Sequence, residues 1–211
     1  GTARARQEDP GRLLHALDKG ERAGGDMPKQ YAQVAGKAVL AHAIDACRAA
    51  GGAVRVVIGA GQEALYHAAI GARDLPSPVI GGATRRESVR NGLEALVASD
   101  PEHVLIHDAS RPFMPPSVDA RLLTALEAAD GAVPVLPVVD SVARADGTLG
   151  EAVERAGLVR VQTPQAFRFA SILAAHRDWS AEDEATDDAQ VARAAGLTVV
   201  TVAGDPRLDK I

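Results

Sequence analysis

Asp108 follows the apolar run His103-Val104-Leu105-Ile106-His107, and Arg111 comes three residues later. A carboxylate at the carboxyl end of a buried strand stands where open α/β sheets place their ligands. There it can hold a divalent cation on a nucleotide's phosphates, and Arg111 can grip an oxyanion bidentately. Spacing alone supports equally an Asp108–Arg111 ion pair that only caps the sheet. The stretch Lys19 to Gln30 sets Gly20, Gly24 and Gly25 among Lys19, Arg22 and Lys29. Glycine-rich backbone turns N–H groups toward phosphate oxygens, and the cations neutralise their charge. It does not fit the GxxxxGK[ST] pattern, and Lys19 and Arg22 taken alone are more commonly solvated charges. Gly81-Gly82 lead through Ala83 and Thr84 into a helix where Ser88 either touches a nucleotide or caps, and capping is the commoner role. Arg155 and Thr163-Pro164-Gln165 add a cation and a hydroxyl.

Positioning these groups requires alternating strands and helices. Val54–Ile58 is β-branched and stops at Gly59, as a buried strand does. Gln62–Ile70 has helical composition, and Val89, Leu93, Leu96 and Val97 share one face of a helix over 87–97. His103–His107 is the next strand. Ser117 is a candidate cap for a helix running to Ala129, with Pro115 and Pro116 as breakers. Ala132–Val139 is extended, and its prolines predict an edge or irregular strand. Helices over 169–176 and 187–195 and a strand over 197–202 follow. The pattern predicts an α/β fold with a mostly parallel sheet covered by helices on both faces. Segment 140–161 breaks the rhythm and turns at Asp146-Gly147. It is read as a protruding β-arm, with a plain surface loop as the alternative.

Composition narrows the function classes. The chain has 211 residues, 46% of them hydrophobic, enough for a real core. Aromatics at 3% leave little for stacking nucleic-acid bases, and a net charge of -5 argues against nucleic acid or an anionic membrane as partner. A local cluster of Arg and Lys can still bind an anionic small molecule. The single cysteine, Cys47, lies at helical spacing from Ala43 and Leu40 and reads as a small buried hydrophobe. No apolar run reaches membrane-spanning length and no leader pattern opens the chain, so the cytoplasm is the expected compartment.

Together, Pro28-Lys29-Gln30-Tyr31 with Gly36-Lys37, Gly81-Gly82 leading to Ser88-Val89, His107-Asp108-Ala109-Ser110-Arg111-Pro112, Thr163-Pro164-Gln165 and Thr186-Asp187-Asp188-Ala189 resemble one family in order and spacing. That family is the 2-C-methyl-D-erythritol 4-phosphate cytidylyltransferases, and the resemblance runs from about Gly20 to Lys210. It implies a Rossmann-like nucleotidyltransferase fold in one domain over 1–211, homodimeric through the arm at about 140–160, using CTP and Mg²⁺. Arg22 and Lys29 would stabilise transition-state charge. Arg155 and Lys210 would position the acceptor for attack. Asp108 would help place metal and substrate, and Arg111 and Thr163 would bind the acceptor's phosphate. Ser141 and Arg155 would act in the partner subunit's site, while Gly20, Gly82 and Ser88 would contact the nucleotide.

Departures from the family pattern cluster at the ends. Asp18 replaces a glycine expected beside the triphosphate, and Leu13–Leu17, interrupted by His15, makes a poorer first strand. Leu208-Asp209-Lys210 stands where the family has Asn, an apolar residue and Lys. Ending at Ile211, before the family's usual final segment, the chain reads as a fragment, a chain with a disordered tail, or one half of a fusion with the cyclodiphosphate synthase of the same pathway. The competing readings are a cytidylyltransferase for another polyol phosphate, such as ribitol 5-phosphate, and a non-catalytic nucleotide-binding domain disabled by Asp18.

Overall fold

Valine and isoleucine recur wherever the central sheet is buried on both faces. The structure is a computed structural model, and it describes residues 11–15, 27–180 and 186–211, the first five by their backbone. In chain order the elements are β1 (Gly11–His15), β2 (Gln33–Val34), β3 (Lys37–Ala38), α1 (Val39–Ala49), β4 (Val54–Ile58), α2 (Glu63–Ile70), β5 (Val79–Ile80) and α3 (Arg85–Glu94). Next come β6 (His103–Asp108), α4 (Pro116–Ala125), β7 (Gly131–Pro137), β8 (Val142–Ala145), β9 (Leu149–Val153) and β10 (Val159–Val161). The last are β11 (Gln165–Arg168), α5 (Phe169–Asp178), α6 (Asp188–Ala194) and β12 (Val199–Ala203). Short 3₁₀ turns cover Lys29–Tyr31 and Pro206–Leu208.

The main sheet reads β12, β7, then β10 and β11 in succession along β7, then β6, β1, β4 and β5. Strands β6, β1, β4 and β5 are parallel, as are β7 and β12, while β10 and β11 run against their neighbours. Alternate residues face opposite sides. Val56 and Leu105 meet α1, α2 and α4, with Leu40, Ile44, Tyr66 and Leu122 in one core. Val57, Val104 and Ile106 meet α3, α5 and α6, with Leu93, Ile172 and Val191 in the other. Cys47 is buried in the first, as a small hydrophobe.

Four expectations are corrected. First, β7 is interior, with β12 on one side and β10 and β11 on the other. Pro134 is tolerated because its missing N–H falls where residues 162–164, between β10 and β11, break the ladder. Its carbonyl still accepts the Gln162 amide at 2.9 Å. Second, Ser117 caps nothing, because Pro115 is the N-cap of α4, and that helix stops at Ala125. Third, α3 ends at Glu94, so the apolar stripe stops at Leu96 and Val97 is 44% exposed. Fourth, the first strand is Gly11–His15 rather than 13–17, and it lies between β6 and β4.

Strands β8 and β9 form an antiparallel hairpin outside the main sheet, turning at Asp146-Gly147 with Gly147 at φ 94°. Its faces are exposed, Leu149 at 86%.

Candidate active site

The carboxyl end of β6 delivers Asp108 into a ring of cations. Lys210 Nζ lies 3.0 Å from Asp108 Oδ2 and Arg111 Nε 3.9 Å from the same oxygen, while Arg85 Nη2 is 3.6 Å from Oδ1. A chain of net charge -5 thus gathers three cations around one carboxylate. Such a cluster focuses positive potential and suits an anionic ligand. Arg111 is the most telling member. Its side chain is 11% exposed, and burial pulls its pKa down against the attraction of Asp108 and Asp209. A guanidinium remains charged regardless. Arg111 Nη1 donates to the Leu208 carbonyl, but buried Nε has no hydrogen-bond partner among the described residues. A buried charged donor that has an ion pair but no hydrogen bond retains capacity for an anionic ligand.

Two further segments are tied to the surroundings of Asp108. Its amide donates to Thr163 Oγ1 at 3.0 Å, and that oxygen is 3.1 Å from His107 Nδ1. Gln165 Oε1 accepts the Ala189 amide at 2.9 Å, joining the Thr163-Pro164-Gln165 segment to the start of α6. There Asp187 is the N-cap, accepting the Gln190 amide at 2.9 Å, and Asp188 turns inward to Arg85 at 2.8 Å.

Lys210 arrives on a strapped segment. Gln162 bonds Asp205 in both directions, Nε2 to the carbonyl at 2.9 Å and Oε1 from the amide at 3.1 Å. Gly204 must be glycine there, since a Cβ would stand 2.3 Å from Gln162 Oε1 and 2.9 Å from the Val135 carbonyl. Leu208 is fully buried, and Arg160 reaches Asp209 at 3.6 Å.

Lys29 opens the 3₁₀ turn and borders a cavity of about 170 Å³ with Val39, Ser110 and Ile211, beside the Asp108–Arg111 loop. Tyr31 anchors the turn through a 3.0 Å bond to Gln62 Oε1, and burial together with Glu63 pushes its phenol pKa up. Lys37 is engaged elsewhere, 2.7 Å from Asp45, whose carboxyl is drawn far below the usual range by Arg73 and Lys37 despite its burial.

At the other rim, Thr84 caps α3 in a capping box with Glu87. Ser88 is buried inside that helix, its Oγ accepting the Gly82 amide at 3.0 Å and donating to the Thr84 carbonyl at 2.7 Å. A Cβ on Gly82 would come within 2.4 Å of Glu87 Cβ, so the turn closes only with glycine. Ser141 and Arg155 lie at the base of the hairpin, Arg155 Nη1 donating to the Val139 carbonyl. Arg22, Gly20 and Asp18 lie outside the described residues.

The structure therefore brings Asp108, Arg111, Thr163 and Lys210 together and sets Lys29 beside their loop. Gly82 and Ser88 form a second group, and Ser141 and Arg155 a third. Sequence reasoning gave no role of their own to Arg85, His107, Gln162 and Asp188, although His107 and Asp188 stand inside the motifs that carry the resemblance. Asp188 left a further signal, as the second acid of an Asp-Asp pair that needs only one N-cap.

A helix-covered, mainly parallel sheet with a cation-ringed carboxylate beyond a strand end is an α/β architecture whose site suits a phosphate-bearing ligand. Family comparison agrees: the profile for IspD, 2-C-methyl-D-erythritol 4-phosphate cytidylyltransferase, matches residues 12–211. This chain belongs to that family. It is 59% identical over 201 residues to the bifunctional enzyme IspD/IspF of Rhizorhabdus wittichii, covering 94% of this chain and 52% of that protein. It is 49% identical to the 2-C-methyl-D-erythritol 4-phosphate cytidylyltransferase of Cereibacter sphaeroides, covering 91% of this chain and 86% of that one. Among solved structures, the cytidylyltransferase of that name from Thermus thermophilus superposes with a TM-score of 0.76 at 34% identity, covering 96% of this chain and 92% of that one. The chain spans about half the length of the bifunctional relatives it matches.

Proposed function

We propose that this chain transfers the cytidylyl group of CTP to 2-C-methyl-D-erythritol 4-phosphate and releases pyrophosphate, a step in isoprenoid precursor synthesis. The observation that carries the reading is Arg111, a buried guanidinium whose Nε makes a 3.9 Å ion pair to Asp108 but no hydrogen bond, beside Lys210 and Arg85 around the same carboxylate. An acceptor phosphate would complete that donor.

The reaction brings two anions together. An acceptor phosphate oxygen attacks the α-phosphorus of CTP, forming one O–P bond as the bond to pyrophosphate breaks. Fixed cations that oppose the mutual repulsion and the growing charge are the main catalytic device. Arg111 holds the acceptor phosphate, and Lys210 leaves Asp108 to guide the attacking oxygen. Lys29, with Arg22, stabilises charge at the α-phosphate and the leaving group. Gly20, Gly82 and Ser88 shape the nucleotide side. Thr163 supports Asp108 from behind. Ser141 and Arg155 serve the site of a partner subunit, the hairpin being the dimer contact. The exposed hairpin edge favours this, because an unpaired edge invites strand pairing.

Mg²⁺ is the proposed cofactor, and its fit is conditional. Among the described residues, no group of three His, Cys, Asp or Glu side chains could enclose a metal, and Asp108 Oδ2 already faces Lys210. The ion therefore fits as one carried on the triphosphate, with Asp108 as a facing carboxylate. Bound there, it would screen phosphate charge. No described helix is long and apolar enough to cross a membrane. The reaction is assigned to the cytoplasm, where CTP is made, and the curated bifunctional relatives favour a longer natural chain.

Pyrophosphate release measured with CTP and either methylerythritol 4-phosphate or ribitol 5-phosphate tests the reading. Turnover with the first acceptor and little with the second is expected. Preference for ribitol 5-phosphate would move the assignment, and CTP binding without turnover would make the chain a nucleotide-binding domain.

A further inference from the structure

Arg85 is the first helical residue of α3, directly after the Thr84 cap, so its backbone is fixed by a capping box. Its guanidinium reaches two carboxylates that are far apart in sequence. Nη2 is 2.8 Å from Asp188 Oδ2 and 3.6 Å from Asp108 Oδ1. Asp188 is 1% exposed and lies 3.2 Å from Nε2 of the fully buried His176, a contact without hydrogen-bond alignment. A buried carboxylate is tolerated only when paired, so Asp188 holds its arginine firmly. Burial alone would raise the Asp188 pKa, yet Arg85 and His176 carry it well below the usual carboxylate range.

The two oxygens of Asp108 are thus loaded differently. Oδ2 faces Lys210, which is 57% exposed and able to move, and it also faces Arg111. Oδ1 faces Arg85, which Asp188 prevents from moving. When a phosphate draws Lys210 and Arg111 toward itself, Asp108 would lose the cations on one side. Arg85 would keep it in one rotamer with its charge matched. Both contacts are made by one nitrogen, so a lysine at this position would keep the charge but lose the reach and the fixed orientation of the guanidinium.

We propose that Arg85, locked by the buried Asp188, is a positioning residue that fixes Asp108 for the acceptor. The inference rests on the reading of Asp108 and Arg111 as the acceptor site.

The test compares Arg85→Lys, Asp188→Asn and the double variant on the intact protein, by steady-state kinetics with CTP and methylerythritol 4-phosphate and by melting curves. Arg85→Lys should lower kcat/KM for the acceptor about tenfold while KM for CTP stays within about twofold, a split that general loosening does not produce. Asp188→Asn should give the same split, and the double variant should be no worse than the poorer single, because both cut one linkage. Parent-like acceptor kinetics in Arg85→Lys overturns the proposal. So does a loss shared equally by both substrates and matched by the fall in folded protein, or a loss that adds in the double variant. Should Asp188→Asn not fold, Arg85→Lys decides alone. A parent without turnover would sink the functional reading instead. Calorimetric binding of inorganic phosphate to parent and Arg85→Lys then tests the link, and equal affinities overturn it.

Discussion

Thr163 Oγ1 lies 3.1 Å from Nδ1 of His107, and with a neutral imidazole the proton between them belongs to the threonine. His107 Nε2 is 2.9 Å from the Arg111 carbonyl, which can only accept. A neutral imidazole therefore carries its hydrogen on Nε2 and offers Nδ1 as an acceptor, an assignment made from the partners. The same threonine oxygen accepts the Asp108 amide at 3.0 Å. With His107 neutral its donor is committed, which leaves Thr163 one lone pair and no proton for a phosphate. The resemblance implies that Thr163 binds the acceptor phosphate, and these contacts make it in addition a brace for Asp108.

Replacing Thr163 with valine keeps the shape and deletes the hydroxyl. The Asp108 amide and His107 Nδ1 would both lose a buried partner, at a cost of about 2 kcal/mol. Thr163→Ser should recover most of that. Urea unfolding of the two variants measures the difference, and a valine variant as stable as the parent would show that the hydroxyl is not engaged in this way.

Arg111→Ala and Arg111→Lys separate a geometric anchor from a charge. Because the proposed phosphate grip uses the planar guanidinium, both variants should raise the acceptor KM by roughly tenfold or more and leave KM for CTP near the parent value. Rescue by lysine would mean that only charge counts at this position.

Asp188 gives the protein an acid-sensitive term. Its carboxyl titrates below its unfolded value because Arg85 and His176 outweigh its burial. The unfolded chain then binds the proton more readily, so stability is complete above about pH 4 and is lost progressively as pH falls below it. Asp188→Asn should be less stable than the parent at neutral pH and show a shallower decline between about pH 4 and pH 2.5. Equal slopes for the two proteins would place the acid sensitivity elsewhere.

Metal affinity should depend on the nucleotide. With cations occupying the surroundings of Asp108, Mn²⁺ added to the protein alone should keep the electron paramagnetic resonance spectrum of the aqueous ion, whereas Mn²⁺ with CTP should show a bound signal. Binding of comparable strength without CTP would reveal a resident metal site.

Much of this arrangement was legible from short-range pattern. Val54–Ile58 and His103–His107 were readable as strands because burial on both faces selects a continuous apolar run. Asp108 and Arg111 were readable as a pair because three residues past a strand end is a local distance. What escaped depends on contacts between distant segments. Arg85 and Asp188 are 103 residues apart, and neither has a spacing that points to the other. Nothing local marks Gln162, whose partner Asp205 is 43 residues further along the chain. Prolines in β7 predicted an edge or an irregular strand, and nothing local reveals that it is an interior strand whose neighbouring ladder breaks opposite Pro134.

The strap that carries Lys210 gives the last expected outcome. Gln162 and Asp205 exchange two hydrogen bonds, Gly204 packs against both Gln162 and the Val135 carbonyl, and the segment then runs to Lys210 beside Asp108. Lys210 is itself exposed on a long flexible stem, so its placement depends on the backbone that bears it. Gln162→Leu removes both bonds while retaining much of the side chain's volume. Turnover should fall about tenfold, the scale set by misplacing a reacting group by an ångström or less. Loss of packing alone would lower the melting temperature without touching the rate, so a second background is needed. In Lys210→Ala the lysine no longer contributes, and Gln162→Leu should then cost little more turnover. A full additional tenfold loss in that background would show that Gln162 acts through something other than Lys210. Gly204→Ala offers a check from the opposite side, because the added methyl forces the same segment away from Gln162 without removing a hydrogen-bonding group. It should reproduce the Gln162→Leu defect in the parent and vanish likewise in Lys210→Ala.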